Sequence, residues 1–206
     1  MEDAEFDRAL VASAFSLAGE EGWRRLSVAE AARRAGLSLD RARARFPARS
    51  VLLLRFGRLA DQAVLAEAGK DGSPRDRLFD LLMRRLDVLQ AHRAGVLALL
   101  RWLPAAPAAA ALLAGANLCS MRWMLDGAGI DSHGLRGRLR VKGLLAVWLW
   151  GVRAWQADES EDLAAAMAAL DQALGWAEQV EQRLHPEAQA TGPSTPASAA
   201  EPPPLA

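Results

Sequence analysis

The chain has 206 residues, of which 51% are hydrophobic and 24% charged, with 25 basic and 25 acidic side chains. These proportions belong to a foldable globular chain and exclude a collagen-like repeat, a disulfide scaffold and a wholly disordered polymer. The single cysteine, Cys119, has no internal disulfide partner, and no basic-then-apolar leader opens the chain, so the expected compartment is the cytoplasm. The best candidate for a membrane span, 143–152, stops at Arg153, well short of the roughly 20 residues a bilayer requires, and no membrane insertion is expected.

The formal net charge of zero conceals a segregated pattern. Residues 1–23 carry Glu2, Asp3, Glu5, Asp7, Glu20 and Glu21 against Arg8, a balance of −5, whereas residues 24–58 carry ten arginines against Glu30 and Asp40, a balance of +8. A local cationic field collects polyanions even on a neutral molecule. The rival reading is compositional, because arginine outnumbers lysine 23 to 2 throughout the chain.

Apolar residues recur at three and four, Ala and Leu dominate, and neither β-branched runs nor Asn-Gly hairpins occur, so the pattern predicts an all-α protein. A first helix is expected over 4–20, with Ala9, Ala12, Phe15 and Leu17 inward. Ser27 caps a short helix over 28–34, with Glu30 placed to complete a capping box. Gly36 permits a left-handed turn, and Ser38 caps a second short helix over 39–45 that ends at Phe46-Pro47. A longer helix follows over 49–68. Gly69-Lys70-Asp71-Gly72 reads as a joint, after which Ser73-Pro74-Arg75-Asp76 starts a helix firmly, with a cap, a proline at the first helical position and an acid three residues on. That helix runs to about 91, and others are expected over 94–103, 106–127, 133–156 and 160–184. Beyond Pro186 the composition turns to Ala, Pro, Ser and Thr, a tail over 186–206 expected to be disordered.

Two short helices joined by a glycine-containing turn form a helix-turn-helix signature. The spacing predicts Leu39, Ala42 and Phe46 facing inward onto Val28, Ala31 and Ala32. Arg41 and Arg45 then share an outward flank, with Arg43 on the other side. Guanidinium groups so placed reach phosphates across a major groove and read guanine bidentately. Short helix pairs without DNA-binding activity share the same pattern.

The run Ala9, Gly22-Trp23, Leu26-Ser27-Val28, Ala31-Ala32, Ala35-Gly36-Leu37-Ser38, Phe46-Pro47 and Leu52-Leu53 resembles the DNA-binding module of TetR-type transcriptional regulators over about the first 60 residues. The resemblance implies a TetR-like fold: a helix-turn-helix module (1–68) ahead of a helical effector-binding and dimerisation domain (73–184). It also implies a homodimer on a double-stranded DNA operator, acting as a ligand-responsive repressor. Ser27 and Arg49 would contact phosphate with Ser38 beside them, Arg41 would read bases, and Arg43 and Arg45 would stand where the family usually has Tyr and His. Here the family commonly has a small residue in place of Asp40 and a polar one in place of Leu39.

The second region is similar to another family. Ser73 to Asp80, Met121-Arg122-Trp123-Met124, Asp158 to Asp162 and Leu170-Asp171 look like the TetR-fold lipid-binding proteins of ubiquinone biosynthesis. That resemblance implies an alternative, an accessory protein that binds isoprenoid-like lipid and does not read DNA.

On 141–155 the stripe Val141, Leu144, Leu145, Trp148, Val152 and Trp155 is joined by Leu149 and Trp150, so the helix is apolar all round and belongs in a core or a dimer interface. TetR-like proteins pair their last two long helices across a two-fold, which assigns 133–156 and 160–184 to dimerisation. Leu97, Leu100, Trp102, Met121, Met124, Leu145 and Trp148 are the candidate lining of a pocket for a small apolar effector or isoprenoid-like lipid. Catalysis is not expected: His92, His133 and His185 share no metal-ligand spacing with Cys119 or an acid and read as surface residues, and Cys119 reads as a small buried hydrophobe. No phosphate loop or nucleophile elbow occurs, and no cofactor or metal is expected.

Overall fold

A computed structural model of the protein describes residues 1–69, 71–160 and 162–184. The expected tail over 186–206 and His185 lie outside the described residues. Within them the chain folds into α1 (Asp3–Glu21), α2 (Val28–Arg34), α3 (Leu39–Arg45), α4 (Arg49–Ala66), α5 (Pro74–Ala91), α6 (Arg93–Trp102), α7 (Pro107–Gly127), α8 (Gly134–Ala157) and α9 (Ala164–Leu184), with one 3-10 turn, Leu103–Ala105, after α6. The all-α expectation therefore matches the fold.

Side-chain caps hold the starts of α2 and α5. Ser73 and Asp76 form the full reciprocal box that starts α5. At α2 only half of the expected box exists. Ser27 Oγ accepts from the Glu30 amide at 3.4 Å, but the Glu30 carboxylate turns outward to Arg33 at 2.8 Å. Ser38 sits at the N-cap of α3 without a capping bond from its hydroxyl. The last helix begins at Ala164, later than the expected 160. Asp158 holds the approach to it in a non-helical turn, its Oδ1 accepting from the Ser160 amide at 3.0 Å and its Oδ2 from the Ala166 amide at 3.0 Å. The carboxylate satisfies helix donors from outside the helix, and these bonds, the Ser160 hydroxyl first, hold its pKa below the usual range.

Of the residues expected inward on α1, Phe15 and Leu17 are buried and Ala9 packs against the core, while Ala12 is exposed; Phe6, Leu10 and Ala14 complete the buried stripe. This stripe packs on α2, α4 and α6. α6 crosses α1 at Gly95, where a Cβ would collide with the Phe15 carbonyl, and the Trp23 indole donates to the Gly95 carbonyl at 2.8 Å. Only glycine lets the two backbones meet so closely. The first four helices are thereby bound to the rest, and one hydrophobic core runs through both regions.

A polar group is buried in that core. Arg85 of α5 forms an ion pair with Asp61 of α4, Ser120 of α7 donates to Asp61 at 2.6 Å, and the Arg85 guanidinium lies 5.1 Å from the centroid of the Trp148 ring of α8. Burial pushes the Arg85 pKa down to about 10, so the side chain stays cationic at neutral pH. One cluster thus ties four helices together.

α7 is, among the described residues, a helix long and apolar enough by length and composition to cross a membrane, although part of it is buried in the core. No uninterrupted apolar run marks it along the chain, because Asn117, Ser120 and Arg122 punctuate an alanine-rich segment. Its Met121, Met124 and Leu125 face the core, whereas Cys119, expected to be buried, is exposed on the opposite side.

Candidate nucleic-acid interface

The helix-turn-helix forms as its spacing requires. Gly36 takes φ 65°, the left-handed conformation that reverses the chain between α2 and α3. Ala42 and Phe46 pack inward with Ala31 and Ala32, but Leu39 does not: it is 43% exposed. α3 begins at Leu39, so that side chain stands at the exposed end of the ridge that Ala42 and Phe46 bury. Its outer face therefore consists of Leu39, Asp40, Arg43 and Ala44.

The candidate arginines divide into two groups. Arg41 and Arg45, expected on an open flank, turn back onto α1. Arg45 grips Asp7 with two parallel bonds of 2.6 and 2.8 Å and reaches Asp3 at 2.6 Å. Arg41 pairs with Asp3, donates to the Met1 carbonyl at 3.2 Å and lies 4.5 Å from the centroid of the Phe6 ring. Asp7 is 2% exposed and also meets Arg55 at 3.2 Å. The hydrogen bond from Arg41 comes first among the causes that lower the Asp3 pKa, and the bond to Asp7 comes first among those that raise that of Arg45.

Arg43 and Arg49 behave differently. Arg43 donates to the Pro47 carbonyl at 2.9 Å, and Arg49 to the carbonyls of Trp23 and Arg24 at 2.9 and 3.2 Å. Both are exposed, and carbonyl partners leave their charge uncompensated. Ser27 is engaged at the start of α2, and the Ser38 hydroxyl is exposed beside the outer face of α3. Sequence reasoning missed Asp3 and Asp7. The signal was available, since two acids four apart in the first helix match two arginines four apart in the third.

The seven residues expected to line a pocket pack in or against the core instead. Met121, Met124 and Trp148 are buried, and Leu97, Leu100, Trp102 and Leu145 pack against them. A cavity of about 740 Å³ lies elsewhere, between α5, α8 and α9, with Leu78, Leu144, Val147 and Leu174 among its walls and Arg75, Arg136 and Arg140 at its edge. Trp150 and Trp176, 49% and 51% exposed, meet edge to face beside it at 6.2 Å. Trp148 and Leu149, adjacent on α8, part company: Trp148 is buried and Leu149 exposed.

Among the described residues no three His, Cys, Asp or Glu side chains are grouped to hold a metal. His133 is exposed, as expected, but His92 is half-buried between the Phe15 and Phe56 rings, and burial lowers its pKa.

No family model and no curated protein matches the chain. Solved structures do. A TetR transcriptional regulator from Nitrosomonas europaea ATCC 19718 is 23% identical, with a TM-score of 0.69 over 84% of this chain and 98% of that one. A TetR-family regulator from Streptomyces coelicolor is 18% identical, with a TM-score of 0.63 over 92% and 87%. One from Rhodococcus sp. RHA1 is 19% identical, with a TM-score of 0.59 over 85% and 97%. The resemblance of the second region to lipid-binding proteins is not shown by these likenesses. With α2 and α3 held as a helix-turn-helix on α1 and α4, and with structural likeness extending over most of both chains, the protein has the fold of the TetR-type transcriptional regulators.

Proposed function

We propose that the chain is a cytoplasmic, homodimeric DNA-binding transcriptional regulator, a ligand-responsive repressor in which residues 1–68 bind an operator duplex and residues 73–184 dimerise and receive an apolar effector. The observation that carries this reading is the outer face of α3, bordered by Arg43 and Arg49, whose charges have no carboxylate partner among the described residues. Arg24 and Arg25, exposed in the turn before α2, extend the same cationic supply. Phosphate contacts of this kind position a helix in the major groove.

Two copies are required to place two such helices about 34–36 Å apart on successive turns of DNA. The exposed α8–α9 face supports a second copy of this chain as its occupant. Leu139, Trp150, Trp176 and Val180 present apolar area there, while Gly143, Ala146 and Ala168 allow close approach. The cavity of about 740 Å³ is in the range of small-molecule sites, roughly 300–1,000 Å³, and supports an apolar effector better than the seven packed residues do. In this arrangement the second copy covers its mouth, since Trp150 and Trp176 belong to both.

The test is binding of the full chain to duplexes from its own promoter region across a salt series. Affinity should fall with a log–log slope of about −0.9 per neutralised phosphate. Arg43→Ala should weaken all sequences alike and make the slope shallower by about one unit for each phosphate that the shortened side chain no longer reaches. A flat salt dependence would remove the DNA-binding reading.

A further inference from the structure

Arginine is the side chain that reads bases most often, yet Arg41 and Arg45 of α3 are already engaged. Three nitrogens of Arg45 donate to Asp3 and Asp7, and two of Arg41 donate to Asp3 and the Met1 carbonyl. Withdrawing Arg45 would strip the buried Asp7 carboxylate of its bidentate partner, which costs far more than breaking an exposed pair. These two arginines are positioning residues that fasten α3 to α1. The outer face of α3 keeps four side chains for DNA: Leu39, Asp40, Arg43 and Ala44.

Asp40 is exposed and makes no hydrogen bond or ion pair among the described residues. An ionised carboxylate only accepts. Facing phosphate it is repelled, and facing the acceptor edge of guanine it is repelled again. The major groove offers it one well-matched donor, the exocyclic N4 amine of cytosine. Leu39 and Ala44, exposed on either side, supply methyl groups of the kind that meet thymine methyls.

Resting on the DNA-binding reading, we propose that Asp40 is the specificity-determining residue of α3, accepting from N4 of a cytosine in each half-site, while Arg41 and Arg45 hold the helix and read nothing. Specificity then comes from an acceptor and apolar contacts, and cationic affinity from Arg43, Arg49 and their neighbours.

The full chain should be used to select from a randomised duplex library, alongside Asp40→Asn, Asp40→Ala and Arg41→Ala. Wild type should enrich a half-site with one fixed cytosine, and replacing that base should cost roughly 5- to 150-fold in affinity. Asp40→Asn should change the preference at that position to adenine, because an amide pairs bidentately with adenine N6 and N7. Asp40→Ala should lose the preference there and bind unrelated DNA more tightly. Arg41→Ala, which loosens α3 on α1, should lower affinity for all duplexes alike and introduce no new base preference. If wild type enriches a motif that Asp40→Asn and Asp40→Ala leave unchanged, or that Arg41→Ala alters, the assignment of Asp40 is overturned and the DNA-binding reading stands. If wild type enriches no sequence and binds duplex without salt dependence, both fall.

Discussion

Removing the Asp61 carboxylate tests whether the buried ion pair holds the first four helices to the remainder. The Arg85 side chain is 6% exposed and that of Asp61 14%, so the guanidinium has little water to fall back on when its partner is removed. Asp61→Ala leaves the guanidinium with a weak 3.5 Å contact to Asn117 Oδ1 and the face of Trp148, and strips Ser120 Oγ of its acceptor. Breaking a buried pair from one side costs about 3–5 kcal/mol. For a chain of this length each kcal/mol moves the melting temperature by about 2–4 °C, so Tm should drop by about 6–20 °C. Scanning calorimetry at one fixed protomer concentration reads this, since dimerisation would make Tm concentration-dependent. The paired replacement Asp61→Leu with Arg85→Met, which removes both charges, should recover most of the loss. If Asp61→Ala lies within about 0.5 kcal/mol of wild type, as surface substitutions do, the pair does not tie the helices together.

Other substitutions separate the remaining contacts. Trp176→Glu, on the exposed α8–α9 face, should turn a sedimenting dimer into a monomer with unchanged helical circular dichroism, whereas Trp148→Glu, in the core, should unfold the chain; a monomeric wild type at micromolar concentration would contradict the first. His92 is half-buried with its pKa lowered by burial, so the unfolded chain binds the proton more readily. Stability should fall as pH drops below about 6.5, down to the folded value, and urea titrations of His92→Phe should lack that decline. Gly95→Val should force α6 off α1, and a melting temperature equal to wild type would show that the crossing is not close in solution.

Much of the local structure was legible along the chain. The boundaries of 28–34 and 39–45 coincide with α2 and α3, because Ser27, Gly36 and Phe46-Pro47 act through a cap and turns within a few residues of themselves. Likewise Ser73-Pro74 and Asp76 announce α5 before any packing is known. The resemblance of the first 60 residues to a reading head rests on this same short-range chemistry.

What depended on tertiary structure was the destination of each side chain. Charge that is segregated along the sequence, −5 over 1–23 and +8 over 24–58, is mixed in space. Ion pairs join α1 to α3 and α4, so Asp3 and Asp7 offset the charges of Arg41, Arg45 and Arg55, while among the described residues Arg43 and Arg49 have no carboxylate partner. Periodicity placed Leu39 inside, where the structure exposes it, and put Trp148 rightly in the inward stripe without saying what packs on it, because a pattern identifies an apolar side chain without naming the partner that covers it. The cavity and the Asp61–Arg85 pair depend on helices brought together from distant parts of the chain, and no local spacing encodes such meetings. Sequence by itself determined the helices and their turns; packing determined which arginines are left to meet DNA.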